Sequence, residues 1–137
     1  MFKLLPHTAD IRLLALGDDA EELFRSALDG MNYLLKKEAC KQQNGSFIYA
    51  EEVRIKATDM TSLLIDFLSE VLTLSQINKV IYCAVSFHNL SGNELSATVR
   101  GNAVNVFEED IKAVTYHEAE ILPGKKKNLE TIIIFDI

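Results

Sequence analysis

Two segments of the chain carry apolar residues at the three- and four-residue spacing of an amphipathic helix. An acidic residue precedes each segment, so we expect Asp18 or Asp19 to cap the first helix and Thr58 or Asp59 to cap the second. Asp18 with Glu21 resembles a capping box. The first apolar stripe consists of Ala20, Leu23, Phe24, Ala27, Leu28, Met31, Leu34 and Leu35. The second consists of Met60, Leu63, Leu64, Phe67, Leu68, Val71 and Leu72.

Other segments alternate apolar and polar residues, or run apolar between turn residues, as β-strands do. Ser91-Gly92-Asn93 predicts a hairpin turn, and the polar stretch 36–46 predicts a loop. In the strand 79–89, alternation places Ile81, Cys83, Val85 and Phe87 on one face. The predicted strands are 11–16, 47–57, 79–89, 95–101, 113–122 and 129–137.

The order of these elements is strand, helix, strand, helix and then several strands. This order predicts an α+β fold: a single compact domain over residues 1–137, with two main amphipathic helices packed on a mostly antiparallel sheet. The helical stripes match at an offset of 40, with Asp19 corresponding to Asp59 and Leu23 to Leu63. Either the chain contains a degenerate strand–helix repeat, or two amphipathic helices simply look alike.

Composition narrows the class of protein. The 137 residues include 14 Lys and Arg and 20 Asp and Glu, for a net charge of −6, and 48% are hydrophobic. A chain this apolar is not disordered overall, and one this acidic is not a strongly cationic nucleic-acid binder. The longest apolar runs are shorter than the roughly 20 residues that span a bilayer, so we expect no membrane partner.

The two cysteines do not form a Cys-x-x-Cys motif, so the sequence predicts neither a zinc knuckle nor a redox pair. Cys83 lies in an apolar strand-like segment, which favours a small core residue. The N-terminus lacks the apolar stretch and cleavage site of a signal peptide. We therefore expect a reducing, cytoplasmic compartment.

Carboxylates near both ends of the chain suggest a metal site. Asp136 and the α-carboxylate of Ile137 close the last strand, and Asp10 supplies a third carboxylate if that strand ends beside it. Three neighbouring carboxylates repel one another unless a divalent cation lies between them. A site that offers only oxygen ligands suits Ca²⁺, Mg²⁺ or Mn²⁺. The alternatives are that Asp10 satisfies turn backbone groups and that Asp136 is an exposed strand end.

Three further polar groups are candidates for chemistry or contact. His7 precedes Asp10 by three residues and could bind or transfer a proton. Alternation puts His117 and Thr115 on one strand face; this face is either a pocket wall, or His117 is simply a core histidine. Asp66 and Glu70 share a helix face, which is either a solvated surface or a contact for a cationic partner. The glycines are scattered, without a phosphate-binding loop or a Gly-x-Ser-x-Gly elbow.

Four motifs together resemble the archease family over essentially the whole chain. They are His7-Thr8-Ala9-Asp10-Ile11, Leu64-Ile65-Asp66-Phe67-Leu68, Lys112-Ala113-Val114-Thr115-Tyr116-His117 and the final Phe135-Asp136-Ile137. The chain departs from the family's common pattern at Arg12, where Gly is usual. It departs again at Phe67 and Ser69, where Trp and Asn are often found.

The resemblance implies a non-catalytic partner of an RtcB-type RNA ligase, which joins RNA ends in tRNA splicing and RNA repair through a histidine–GMP adduct. Archeases promote that guanylylation and multiple turnover, so RNA is met only through the ligase. The family's metal positions fall on Asp10, Asp136 and Ile137, and its other motif positions suggest an activating surface. That surface comprises His7, Asp66, Glu70, Lys112 and His117.

Two other functions remain open from the sequence. One is a stand-alone, divalent-metal-dependent hydrolase of a small phosphorylated or nucleotide substrate, centred on Asp10, Asp136 and His117. The other is a chaperone-like module that modulates RNA-modifying enzymes.

Overall fold

A computed structural model describes residues 1–5, 10–42, 45–126 and 128–137. His7, one of the residues of the expected activating surface, lies outside the described residues. The helices are α1 Ala20–Leu35, α2 Ala39–Gln42 and α3 Met60–Asn78. The strands are β1 Phe2–Leu5, β2 Ile11–Gly17, β3 Tyr49–Lys56, β4 Val80–Leu90, β5 Glu94–Ala103, β6 Ala113–Thr115, β7 Leu122–Pro123 and β8 Leu129–Asp136.

The strands form two antiparallel sheets. The first has the order β1-β2-β8-β6, with β7 also paired to β8, and the second has the order β3-β5-β4. Helix α1 packs on both β2 and β4, while α3 packs on β3, β4, β5 and β6. The predicted α+β class is confirmed. The helices pack on two sheets rather than one, because β2 pairs with β8, the last strand of the chain, and not with β3.

An aromatic cluster ties the two main helices to the second sheet. The ring centroids of Phe24 and Phe67 lie 6.0 Å apart, and Phe87 of β4 lies 6.3 Å and 6.0 Å from them. Phe24 and Phe67 are fully buried, and both belong to the predicted stripes. The large side chain at position 67 therefore fills the space between α1, α3 and β4, where loss of a buried ring costs about 3–5 kcal/mol.

Both main helices begin with an aspartate N-cap. Asp19 Oδ1 accepts from the backbone N–H of Glu22 at 2.9 Å, and Asp59 Oδ1 accepts from that of Ser62 at 2.7 Å. The Asp18–Glu21 capping box was therefore wrong by one residue, because Asp19 is the residue with extended backbone before the first turn. At Asp59, the Ser62 hydrogen bond holds the pKa of the carboxyl below its ordinary value.

Strand β4 is interrupted by a bulge between Ile81 and Ala84. The predicted common face of Ile81, Cys83 and Val85 is therefore wrong, since an extra residue reverses the alternation. Gly101 makes the bulge possible, because a Cβ at this position would lie 1.9 Å from the carbonyl oxygen of Ile81.

The cysteines are joined, contrary to the sequence-based expectation. A disulfide links Cys40 of α2 to Cys83 beside the β4 bulge, with Cα atoms 5.4 Å apart. The short helix α2 thus lies within the stretch predicted as a loop. Cys83 is not a free core thiol, so the cysteines give no support for a reducing compartment.

Helix α3 is long and apolar enough, by length and composition alone, to cross a membrane. A core helix of a globular protein passes the same test. Here Leu64, Phe67 and Leu68 of α3 are fully buried against the rest of the fold. One such helix is therefore weak grounds for a membrane span.

Candidate functional site

Strand pairing brings the two ends of the sequence together at one edge of the first sheet. Ile11 of β2 pairs with Phe135 of β8, and this is the last pair of the ladder at this edge. Asp10 immediately precedes Ile11, and Asp136 immediately follows Phe135. Asp10 is half-buried and Asp136 is exposed. We call this edge, with the following Ile137, the carboxylate edge.

Strand β6 completes the carboxylate edge on its other side. Ala113 pairs with Asp136, and the backbone N–H of Lys112 donates to the carbonyl oxygen of Asp136 at 2.7 Å. Asp136 therefore lies between Asp10 and the start of β6. Its main chain is tied down although it is the penultimate residue, whereas an untethered terminus frays. Lys112 is exposed beside it.

Arg12 lies two residues beyond Asp10 and is committed to an ion pair. Its Nε and terminal nitrogen donate to the two carboxylate oxygens of Glu118 at 3.2 Å and 3.0 Å. This two-point geometry suits a guanidinium and a carboxylate. Arg12 therefore has its charge balanced at least in part by Glu118.

The turn after β6 is anchored on its other side to helix α3. The Tyr116 hydroxyl donates a short hydrogen bond to Asp66, and this interaction raises the pKa of the Tyr116 phenol above its usual range. The cause is the neighbouring carboxylate, which disfavours the phenolate, with a smaller contribution from desolvation. Ile121 N–H donates to Thr61 Oγ1 at 3.1 Å, so the same segment meets α3 again near its start.

His117 lies at the exposed tip of this anchored turn. Strand β6 ends at Thr115, and Ala119 N–H donates to the carbonyl oxygen of Tyr116 at 3.1 Å. The predicted strand 113–122, with His117 and Thr115 forming one pocket wall, is therefore wrong. The turn requires Glu118 at a φ of 59°, a left-handed conformation that is uncommon for a residue with a side chain.

The candidate activating residues divide into two neighbouring groups. Lys112 adjoins the carboxylate edge, and Asp66 and His117 are linked through Tyr116. Glu70 is exposed one helical turn after Asp66. We call the clamped turn 116–119, together with Asp66, the Tyr116 clasp.

The donor chemistry of the carboxylate edge fits a hard divalent cation. Asp10, Asp136 and the α-carboxylate of Ile137 offer oxygen atoms only, as Ca²⁺, Mg²⁺ and Mn²⁺ prefer. Among the described residues, no three His, Cys, Asp or Glu side chains are grouped closely enough to hold a metal ion.

The sequence-based reasoning missed the residues that position the site. In the sequence, Tyr116 stands out only as part of the Lys112–His117 motif, and Arg12 only as a departure from the family pattern. The partners of both are distant in sequence: Tyr116 meets Asp66, and Arg12 meets Glu118. The sequence signal was an exposed aromatic residue beside His117, which is weak without the spatial partner.

The comparisons with known proteins agree with this architecture. A model of the Archease protein family matches residues 2–137. Protein archease of Methanosarcina barkeri is 34% identical over 129 residues, covering 88% of this chain and 85% of the relative. Protein archease of Methanosarcina mazei is 31% identical over the same length and coverage.

Two solved structures share the fold. The solution structure of protein 1598 of Methanobacterium thermoautotrophicum has a TM-score of 0.77 at 26% identity, covering 99% of this chain and 98% of that one. The crystal structure of an archease from Thermotoga maritima, described as a possible chaperone, has a TM-score of 0.58 at 23% identity. It covers 98% of this chain and 96% of that one. By the family match along its length and these relatives, the chain belongs to the archease family.

Proposed function

We propose that this protein is a non-catalytic, metal-binding activator of an RtcB-type RNA ligase, promoting its guanylylation and turnover in tRNA splicing and RNA repair. The observation that supports the proposal is the pairing of Ile11 with Phe135, the residues that adjoin Asp10 and Asp136 in the sequence. Family membership supports the accessory role. A cytoplasmic location belongs to the same proposal.

The proposed ligands are Asp10, Asp136 and the terminal carboxylate of Ile137. A divalent cation, when bound there, supplies positive charge that a transferring phosphate group can use. The chain's own contribution is to hold these carboxylates on a paired strand end, with Lys112 N–H fixing the main chain of Asp136. The Arg12–Glu118 pair offsets the positive charge of Arg12, which lies two residues from Asp10.

The proposed ligase-facing surface adjoins this edge. It comprises Lys112, His117, Asp66 and Glu70, with His7 from the same family motifs. The net charge of −6 favours docking against a cationic, metal-rich region by charge complementarity. RNA is then contacted by the ligase rather than by this protein.

The test is formation of the ligase–GMP adduct by the cognate RtcB-type ligase with GTP and Mn²⁺, with and without substoichiometric amounts of this protein. We expect faster adduct formation with the wild type. Asp10→Ala and Asp136→Ala should lose the stimulation. Asp18→Ala, which removes an exposed carboxylate beyond the other end of β2, should keep it.

Metal binding is tested separately, by calorimetric titration of the isolated protein with Mn²⁺ and Ca²⁺. Loss of binding in Asp10→Ala and Asp136→Ala, but not in Asp18→Ala, is the expected result. Unchanged adduct stimulation in variants that no longer bind metal would remove the ion from the mechanism. Turnover of phosphorylated substrates by the pure protein with Mg²⁺ or Mn²⁺ would favour the hydrolase instead.

A further inference from the structure

A second candidate site lies at the carboxyl-terminal end of α1, built from residues that the proposed function does not use. A cavity of about 520 Å³ opens between β1, the end of α1 and the short helix α2. This volume is in the range of small-molecule sites, roughly 300–1,000 Å³. Its lining residues are Phe2, Asp29, Tyr33, Lys36, Lys37, Cys40 and Lys41.

One wall of this cavity is aromatic. The half-buried ring of Tyr33 lies 5.4 Å from the ring of Phe2, centroid to centroid, at an angle of 50°. Cys40, through its disulfide to Cys83, adds a second apolar surface. A rigid, partly exposed aromatic ring is a surface on which a planar ring stacks.

The cavity is also lined by positively charged side chains. Three lysine side chains, Lys36, Lys37 and Lys41, line it against one carboxylate, Asp29, although the whole chain has a net charge of −6. Lys37 Nζ lies over the Tyr33 ring, 5.9 Å from its centroid, so an ammonium group already faces the aromatic wall and must move aside for a stacked base. The lining side chains therefore carry an excess of positive charge, with Glu108 and Glu38 outside the lining, 2.6 Å from the Lys37 backbone nitrogen and 4.0 Å from Lys41 Nζ.

The end of helix α1 explains only part of this arrangement. Partial negative charge at a helix carboxyl terminus attracts Lys36 and Lys37. Lys36 is also occupied, since its Nζ donates to the carbonyl oxygen of Val106 at 3.2 Å. Lys41 belongs to another element, α2, which the disulfide at Cys40 holds against β4. An exposed pair with Glu38 at 4.0 Å does little to neutralise Lys41.

We propose that this cavity binds a nucleotide phosphate, with the base against Tyr33 and the phosphate between Lys37 and Lys41. The ring and the charge lie side by side, as a ligand with a planar base and an attached phosphate requires. The same chemistry is carried by a free mononucleotide and by the terminal nucleotide of a single-stranded RNA. The site shares no residue with the carboxylate edge, so it stands independently of the ligase proposal.

The experiment is a calorimetric titration of the full chain at low salt with GMP, guanosine and inorganic phosphate as separate probes. We expect GMP to bind about tenfold more tightly than guanosine or phosphate, because only GMP uses the ring and the charges together. Binding should weaken as salt is raised. Absence of GMP binding to the folded protein would overturn the proposal.

Matched variants locate the site. The double variant Lys37→Ala/Lys41→Ala should weaken GMP binding at least about tenfold, and Tyr33→Leu should reduce GMP to the affinity of phosphate. The control is Lys125→Ala/Lys126→Ala, which removes two lysines lining a different cavity. An equal loss in this control would refute the assignment, as nonspecific attraction to lysines would then explain the binding.

The two sources of the ligand are distinguished with a short single-stranded RNA bearing a 3′-phosphate or a 3′-hydroxyl. Tighter binding of the phosphorylated RNA than of GMP, lost in Lys37→Ala/Lys41→Ala, supports the RNA end. Binding of GMP alone supports the free nucleotide. Equal binding of both RNAs, unaffected by that variant, would contradict a phosphate site in this cavity.

Discussion

Replacement of Tyr116 by Phe tests whether the Tyr116 clasp holds the turn beside the carboxylate edge. The change removes only the hydroxyl that donates to Asp66. A hydrogen bond to a charged partner contributes about 1.5–3 kcal/mol, but Tyr116 is 58% exposed and water can replace the lost donor. We therefore expect a decrease of about 1 kcal/mol in the free energy of unfolding.

The measurement is urea denaturation of the wild type, Tyr116→Phe, Asp66→Asn and the double variant. The coupling energy between the two positions should be about 1 kcal/mol. Tyr49→Phe is the matched control, because the Tyr49 hydroxyl makes no hydrogen bond within the described part of the chain. A coupling energy below about 0.3 kcal/mol would refute the clasp, since distant, independent sites add within that error.

The same bond predicts a pH dependence with a definite sign. The pKa of Tyr116 is raised in the folded protein, so its protonated form is favoured by folding. The associated stability is present below the ordinary tyrosine pKa of about 10 and is lost as pH rises through the higher folded pKa. The advantage of the wild type over Tyr116→Phe should therefore begin to fall above pH 10 and be lost once pH exceeds the folded pKa. An advantage that persists there would contradict the assignment.

Three further changes test the fold in the same denaturation assay. Gly101→Ala should cost about 1–3 kcal/mol, because its Cβ would meet backbone 1.9 Å away; an unchanged midpoint would contradict the tight bulge. Cys40→Ser/Cys83→Ser should cost about 2–4 kcal/mol, since the bridge closes a separation of 43 residues; equal stability with and without reductant would contradict that. Asp59→Ala should be less stable than the wild type at pH 7, and this difference in the free energy of unfolding should shrink as pH falls. The reason is that a carboxyl with a lowered folded pKa stabilises the fold fully above its unfolded pKa and loses this contribution as pH falls through the folded pKa. A constant difference from pH 7 to pH 2 would contradict the cap.

The helices were predictable because their determinants are local. The stripe of α1 contains Leu23 and Phe24 at helical spacing, and its cap Asp19 lies next to the first turn. The corresponding positions of α3 follow at an offset of 40, with Asp59 as the cap. The structure places these two strand–helix units in different sheets. The local sequence pattern thus identifies each strand–helix unit, but it does not determine how the two units are arranged in the sheets.

The features that sequence reasoning missed depend on distant partners. The bulge in β4 requires Gly101, which lies on β5, the neighbouring strand of the same hairpin. The disulfide joins Cys40 to Cys83, and neither position carries a recognisable motif. Tyr116 is understood only when Asp66 is seen beside it, 50 residues earlier in the chain. Such pairings are set by the packing of the sheets and helices and not by periodicity.

The Arg12–Glu118 pair connects the sequence of this chain to the proposed metal chemistry. The resemblance to archeases implies Gly where Arg12 stands, and an uncompensated guanidinium two residues from Asp10 would weaken cation binding by like-charge repulsion. Glu118 accepts from two nitrogens of Arg12 and has a left-handed backbone conformation. Arg12 therefore helps to hold the turn that carries His117, through its ion pair with Glu118.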